Sequence, residues 1–180
     1  MKFEEMIPVL KGEIPLKLHV HRADDIMTAL RIADEFNIKI TLDHCSDGIL
    51  LMDEIKNRNL PVIIGPTMTF RKKVETKGKT FKTVREFINN GILTAITTDH
   101  PVTCIEYLPL CAALSAKEGL DDIKALETIT INPAKILGID NRVGSIEIGK
   151  DADLVIFDGN PLEIKSSVKY VIVNGEIAYK

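Results

Sequence analysis

Short apolar segments alternate with amphipathic segments over the first half of the chain. Four apolar segments are rich in Ile, Val and Leu and contain few polar residues, a pattern typical of strands buried on both faces of a parallel sheet. These predicted strands are residues 14–20, 38–42, 60–64 and 92–97. The segments between them carry apolar residues at helical spacing, which predicts helices at 24–36, 46–56 and 80–89. Repeated strand–helix units of this kind predict a right-handed parallel sheet, either open or closed into a barrel.

Two regions depart from this pattern. Residues 65–79 are polar and basic and follow the third strand, so they form either a solvated loop or a substrate-facing loop over the strand ends. Further helices are predicted at 103–117, 120–131 and 132–137, and residues 143–180 then have the pattern of short strands joined by turns, including GSIEIG, ADLVIFDGN and the hairpin signal Asn174-Gly175. The sequence predicts an α/β domain over residues 1–140 and a small antiparallel β module over residues 141–180.

Composition narrows the class of protein. A chain of 180 residues accommodates one domain with a small appendage, and its net charge of -3 gives no basis for binding nucleic acid or an anionic membrane. No apolar stretch reaches the roughly 20 residues of a membrane-spanning helix, and the N-terminal residues lack the pattern of a signal peptide. Three irregularly spaced cysteines predict a reducing, cytoplasmic location rather than a disulfide framework.

All four histidines lie at or just after the end of an apolar segment. His19 and His21 end the first predicted strand, His44 follows the second, and Asp99 and His100 follow the fourth. In parallel α/β sheets the carboxyl ends of the strands are where ligands bind. One histidine at such a position is usually a hydrogen-bonded loop residue, but four at such positions favour a metal site.

The residue types at these positions suit zinc or a similar divalent ion. His19, His44 and Asp99 could supply the three protein ligands of a catalytic zinc, which keeps one coordination position for water. Asp99 could alternatively be the base that takes a proton from that water. His100 and Asp43 are expected to support the site rather than to bind the ion.

The residues that border these histidines have two interpretations. Arg22 is either a solvated residue beside the first turn of a helix or a residue that binds a substrate carboxylate. Cys45 directly follows His44, and a buried apolar filler is the commoner role for a cysteine in such a position.

Several motifs resemble those of a known family. The runs NPAKILGI at 132–139 and GSIEIGKDADLV at 144–155 closely resemble the C-terminal signature of the metal-dependent amidohydrolase superfamily. The pieces LHVHRADDI, TLDHC and ITTDHP resemble the strand-5, strand-6 and strand-8 motifs of its imidazolonepropionase-like branch. The resemblance implies the C-terminal half of a TIM-type (β/α)8 barrel, strands 5–8, followed by part of a small β-sandwich.

The resemblance also implies roles for individual residues. His19 matches a metal ligand, His44 a ligand of a second metal or a substrate contact, and Asp99 a metal ligand that shuttles a proton. His21 and Arg22 resemble substrate-side positions, and we group His100 with them. The implied reaction is the hydrolysis of a C–N bond, in a cyclic amide, an amidine or a dipeptide-like substrate, by water activated on one or two divalent ions, most often Zn.

The sequence departs from the family pattern at its start. The strand-1 His-x-His pair and the strand-4 metal ligand of the family have no counterpart, and assigning His19-x-His21 to strand 1 would put the later motifs in the wrong units. A half barrel leaves strand edges and apolar surface uncovered. We therefore expect either a homo-oligomer or a complementary N-terminal half.

Two functional hypotheses follow from the sequence. The chain is a truncated amidohydrolase that acts on a small-molecule substrate, or it is an inactive metal-binding or assembly fragment that needs the complementary half. A Rossmann-like binding domain is disfavoured because no Gly-rich phosphate loop follows any predicted strand. The sequence does not identify the substrate, because one fold of this kind serves many reactions.

Overall fold

Four parallel strands form the main sheet in a computed structural model of the chain, which describes residues 3–180. Each strand pairs with the next along the chain, in the order β1-β2-β3-β4. The predicted parallel α/β sheet is therefore confirmed. The strands are β1 (Leu16–Val20), β2 (Ile40–His44), β3 (Val62–Ile64) and β4 (Thr94–Ile96).

Helices connect the strands of this sheet and follow it. The α-helices are α1 (Ile7–Leu10), α2 (Ala23–Phe36), α3 (Met52–Asn57), α4 (Lys82–Asn89), α5 (Leu108–Lys117), α6 (Asp122–Glu127) and α7 (Ile131–Leu137). The longest, α2, has Asp24 and Asp25 in its first turn, where the helix dipole favours negative charge, and it ends at Asn37 in the left-handed conformation. Within residues 3–180, no helix has both the length and the apolar character needed to cross a bilayer.

Four predicted helices are shorter than the sequence pattern indicated, and α4 is shorter by only two residues. The segment 46–56 begins as a 3-10 turn (Gly48–Leu51) before α3, and a second 3-10 turn (Ile105–Tyr107) precedes α5. Pro109, which lacks a backbone N–H, lies in the first turn of α5. The start of α6 is fixed by Asp121, whose side chain accepts hydrogen bonds from two backbone N–H groups of the first turn.

The hydrophobic core lies on one face of the parallel sheet. Ile26, Leu30 and Phe87 from the helices are fully buried in one cluster with Leu42 and Val62 of the strands. This packing accounts for the predicted helical spacing of apolar residues, since each helix turns one apolar stripe towards the sheet.

The opposite face of the sheet is exposed at β1. Lys17 and His19 alternate with the inward-facing residues of that strand and are both exposed. The ammonium group of Lys17 lies 3.0 Å from the carboxylate of Asp43 on β2. Asp43 is two residues beyond Thr41, which pairs with Lys17 in the sheet. In a closed barrel this face would line the interior.

Polar groups of the chain itself cover the outer edge of β4. The backbone N–H of Ile96 donates to the carbonyl of Thr128 at 3.0 Å. The side-chain amide of the buried Asn132, part of the NPAKILGI motif, donates to the carbonyl of Thr94 at 3.0 Å. These bonds satisfy backbone groups that an open strand edge would leave unpaired.

A second, three-stranded sheet is antiparallel and occupies the C-terminal region. It consists of β5 (Leu154–Phe157), β6 (Val168–Val173) and β7 (Glu176–Tyr179). Asn174 and Gly175 connect the last two strands with φ of 51° and 82°, as a type I′ hairpin turn requires, so the predicted hairpin is confirmed.

The strand predicted at GSIEIG is wrong. Residues 144–149 form turns and irregular structure, and Ile146 and Ile148 are exposed. Gly144 and Gly149, which bracket the segment, both have φ of 93°, a conformation that interrupts a strand. The alternation of apolar and polar residues in this segment therefore does not correspond to a buried strand face.

Candidate metal centre

Three histidines meet at the carboxyl end of the parallel sheet. His19 lies near the end of β1, His21 directly follows that strand, and His44 is the last residue of β2. Their rings are neighbours, with centroids 4.2 Å apart for His19 and His44 and 4.9 Å apart for each of the other two pairs. One potential ligand atom from each histidine lies within 4.8 Å of the other two.

This spacing fits a shared divalent ion. Two nitrogens bound at about 2.1 Å to one tetrahedral ion lie about 3.4 Å apart, so modest side-chain rotation brings the three donors to one ion. Neutral imidazole nitrogens are ligands that zinc and similar first-row ions accept. Three protein ligands leave one tetrahedral position for water or substrate. The residues therefore fit the divalent metal that the sequence predicted, with His21 as the third member of the group.

His44 is held in one orientation by a backbone carbonyl. Its Nδ1 donates a hydrogen bond of 2.5 Å to the carbonyl oxygen of Gly65, at the end of β3. Because a carbonyl only accepts, the proton of the neutral ring lies on Nδ1, and Nε2 keeps a free lone pair. Hydrogen bonds of this kind orient the metal-binding histidines of many proteins.

Gly65 has a structural requirement of its own. Its φ is 140°, and an added Cβ would lie 1.9 Å from the carbonyl oxygen of Thr97, which follows β4. The backbone N–H of Thr97 donates to the carbonyl of Ile64 at 2.8 Å, which keeps the two chain segments together. Glycine is therefore needed at this position for β3 and β4 to approach as they do.

His21 is buried and hydrogen-bonded. The residue is 8% exposed, and its Nδ1 lies 2.8 Å from the hydroxyl oxygen of Ser46. Burial, followed by the repulsion that His44 and His19 exert when they are protonated, lowers the pKa of His21 to about 4. The ring is therefore neutral at physiological pH, the form in which imidazole binds a metal.

A cavity of about 360 Å³ opens beside the three histidines. Asp99 lines this cavity, as do eight residues of the polar loop 65–79. The loop therefore lies beside the strand ends, and its predicted contact with a substrate remains a prediction. The lining residues of the loop are Pro66, Thr69, Phe70, Lys72, Lys73, Glu75, Thr76 and Lys79.

Lys79 is a cavity residue that the sequence analysis did not identify. It is 9% exposed, and its ammonium donates hydrogen bonds to the carbonyl of Pro66 at 3.0 Å and to the hydroxyl of Thr69 at 2.5 Å. Burial lowers the pKa of Lys79, and the negative charge of Asp99 opposes that effect. Nothing in the sequence distinguished Lys79 from the other basic residues of the loop, since its burial depends on how the loop folds back.

The structure places Asp99 in the cavity wall but outside the three-histidine group. Within residues 3–180, that group contains only His19, His21 and His44. Asp99 has φ of 52°, and its backbone N–H donates to the hydroxyl of Thr97 at 3.0 Å. The sequence pattern correctly predicted that Asp99 lies at the carboxyl edge of the sheet. That Asp99 binds the metal remains a prediction.

Arg22 and His100 do not line this cavity. Arg22 is exposed and makes a two-bond ion pair with Asp24, at 2.8 and 3.0 Å. His100 is exposed, and its Nδ1 accepts a hydrogen bond from the backbone N–H of Ile105 at 3.3 Å. Their predicted contacts with a substrate remain predictions.

Cys45 supports the site by packing. It is completely buried, and burial raises the pKa of its thiol to about 12, so the thiol stays protonated. Its sulfur packs where a Cβ on Gly48 would lie, 2.5 Å away. The interpretation of Cys45 as a buried filler agrees with this environment.

Comparison with known proteins links this fold and site to one family. Residues 10–178 match the model of the amidohydrolase family. The crystal structure of an amidohydrolase from Thermotoga maritima MSB8 superimposes with a TM-score of 0.96 at 40% identity, over 99% of this chain and 47% of that one. An imidazolonepropionase of Thermoplasma volcanium is 32% identical over 173 residues, which are 91% of this chain and 41% of the relative.

Other similarities are more distant. An amidohydrolase, tasK, of Hapsidospora irregularis is 26% identical over 97% of this chain but only 18% of its own length. This chain thus spans less than half the length of the relatives compared. The sequence-based resemblance to the imidazolonepropionase-like branch is confirmed. The family match, the close superposition and the histidines at the strand ends together show that this chain belongs to the amidohydrolase family.

Proposed function

We propose that this chain supplies the metal-binding part of a hydrolase that cleaves C–N bonds other than peptide bonds. The substrate would be a cyclic amide, an amidine or a dipeptide-like compound. The observation that carries this proposal is the group of three histidines at the strand ends of an amidohydrolase fold. The relatives that support it include proteins named imidazolonepropionase and dihydroorotase.

Each residue of the site would have a definite task. His19, His21 and His44 would hold a divalent ion, zinc by preference, through their neutral nitrogens. When bound, such an ion lowers the pKa of water and polarises a carbonyl or imine group. Gly65 fixes the Nδ1 proton of His44, which leaves Nε2 free to point into the site.

Asp99 would move the proton. Its carboxylate lies in the wall of the same cavity as the histidines, where one of its oxygens would accept a proton from water and pass it to the leaving nitrogen. Binding to the ion as well, which the sequence analysis predicted, is compatible with this task. Arg22 and His100 would reach the substrate only from outside the cavity that the structure shows.

The mode of action of the chain is the second part of the proposal. The relatives are at least twice as long as the matched region, and the face of the sheet that carries Lys17 and His19 is exposed. We propose that this chain corresponds to the C-terminal half of a TIM-type barrel. A complementary N-terminal half would complete the barrel, and self-association into a homo-oligomer is the alternative.

Metal binding tests the first part of the proposal. Protein purified without chelator should contain about one zinc-like ion per chain, and zinc titration of the metal-free protein should give the same stoichiometry. His44→Ala should weaken zinc binding at least tenfold, because it removes one of three ligands, whereas His100→Ala should bind zinc like the unsubstituted protein. A metal-free protein that binds no zinc at micromolar concentration, or equal affinities in the two variants, would refute the metal site.

Mass and activity test the second part. Light scattering would separate a monomer from a homo-oligomer. Mixing the chain with residues corresponding to the N-terminal half of the Thermotoga maritima amidohydrolase would test complementation. A stable complex of the two chains that hydrolyses an N-acyl amino acid or a hydantoin would support the complementary half. A defined homodimer that does not bind the added N-terminal half would favour self-association.

A further inference from the structure

Lys79 is a buried cation in the wall of the cavity. No described carboxylate forms an ion pair with it within 4.0 Å, and both groups that accept its hydrogen bonds, the carbonyl of Pro66 and the hydroxyl of Thr69, are neutral. Asp99 lines the same cavity and its negative charge favours the charged form of Lys79, but the two make no ion pair within 4.0 Å. A buried charge without an ion-pair partner costs several kcal/mol, because water no longer solvates it. A structural link between two ends of a loop does not require such a charge.

The other basic residues of the loop are already occupied or exposed. Lys73 pairs with Glu75 at 3.1 Å, and the ammonium of Lys72 lies 5.5 Å from the ring centroid of the exposed Phe70. Among the lysines of this loop, Lys79 is the one that is buried and also lines the cavity. An anion that entered the cavity would therefore gain most from Lys79.

The polar groups of the cavity come from two different parts of the fold. The three histidines and Asp99 lie at the strand ends, whereas Lys79 reaches the cavity from the loop that covers them. Lys79 carries three N–H donors, of which two are used by Pro66 and Thr69. The third donor is available to a ligand.

We propose that Lys79 binds an anionic group of the substrate, a carboxylate in the simplest case, while the C–N bond to be cleaved lies beside the histidines. This inference rests on the proposed hydrolase function and narrows its substrates to amides or amidines that carry a negative charge a few bonds from the scissile bond. The carboxylate would supply the ion-pair partner that Lys79 lacks and would fix the orientation of the substrate.

A matched pair of probes tests the charge dependence. N-acetylglycine and N-acetylglycinamide differ by one negative charge, and their affinities would be measured by calorimetry on chelator-treated protein, so that no metal contributes. The unsubstituted protein should bind N-acetylglycine about tenfold or more tightly than the amide, as expected for a charge-assisted hydrogen bond. A ratio near one would overturn the proposal.

Variants assign that preference to Lys79. Lys79→Met should reduce the ratio to about one to two, and Lys79→Arg should keep most of it, because the arginine retains the charge. Lys77→Met is the matched control, since Lys77 is an exposed lysine of the same loop outside the cavity, and it should keep the full ratio. A preference that survives Lys79→Met would refute the assignment.

A measurement on the unsubstituted protein covers the case in which Lys79→Met does not fold. With lysine labelled by ¹³C at Cε, N-acetylglycine should shift the Lys79 signal and N-acetylglycinamide should not, with the assignment taken from Lys79→Arg. Equal shifts for the two probes, or none, would refute the proposal. Zinc titration of the same samples separates the two proposals. A protein that binds zinc but does not prefer N-acetylglycine over N-acetylglycinamide would refute only the role of Lys79. A protein that has this preference but binds no zinc would refute only the metal site.

Discussion

Alanine at position 65 would place a methyl group inside the backbone of the neighbouring segment. The Cβ would lie 1.9 Å from the carbonyl oxygen and 2.9 Å from the carbonyl carbon of Thr97. Ordinary contact begins near 3.4 Å, so β3 and β4 would have to separate by about 1.5 Å at this point. Both contacts are with backbone atoms, so no side-chain rotation relieves them.

The cost of Gly65→Ala has three sources. A φ of 140° is a conformation that residues with a side chain rarely adopt, and it costs about 1 to 3 kcal/mol. Separation of the strands would weaken the hydrogen bond from Thr97 to Ile64, and a shift of the Gly65 carbonyl would weaken the one from His44, each worth about 1 kcal/mol. We expect Gly65→Ala to lower the free energy of unfolding by about 3 to 5 kcal/mol.

Urea denaturation measures this loss, and a second glycine provides the control. Gly91 has φ of 79°, but no atom of residues 3–180 lies within 4 Å of its Cβ position, so Gly91→Ala should cost only the backbone strain of about 1 to 2 kcal/mol. Gly65→Ala should also weaken zinc binding, because the orientation of His44 depends on the Gly65 carbonyl, whereas Gly91→Ala should leave it unchanged. If the two variants lost the same stability and bound zinc equally well, the proposed steric coupling of β3, β4 and His44 would be refuted.

Two further predictions concern stability. In chelator-treated protein, the free energy of unfolding should fall by about 1 to 3 kcal/mol as the pH is lowered from about 6.5 to about 4. The reason is that His21 becomes protonated in this range in the unfolded chain but stays neutral in the folded chain, where its pKa is about 4. His21→Gln should remove that part of the pH dependence, and identical stability curves for the two proteins would contradict the assignment to His21. Asn132→Leu should cost about 1 to 3 kcal/mol in urea denaturation, because it leaves the carbonyl of Thr94 buried without its donor, and an unchanged stability would show that this bond does not hold the edge of β4.

The sequence pattern predicted the parallel sheet well because burial on both faces leaves a direct mark on composition. Strands β1 and β3 lie within predicted segments, and β2 begins and ends two residues later than predicted. The hairpin turn at Asn174-Gly175 was predictable for a local reason, since few other residue pairs adopt positive φ twice in succession. The error at GSIEIG arose because an alternating pattern does not itself supply a strand partner.

The candidate site was predictable only in part. Histidines at the ends of β1 and β2 must lie close together, because the carboxyl ends of parallel neighbours share one edge of the sheet. Five polar residues lie at that edge, and the sequence pattern does not show which three of them converge on one ion. The structure groups His21 rather than Asp99 with His19 and His44.

The sequence by itself determined the α/β class, the strand ends that carry the histidines and the family to which the chain belongs, because periodicity and short motifs are properties of neighbouring residues. The tertiary structure alone decided that loop 65–79 lines a cavity at those ends, that Lys79 is buried in the wall of this cavity, and that Gly65 orients His44. Those contacts join residues far apart in the chain, and they form only when the strands pack, so no local pattern records them.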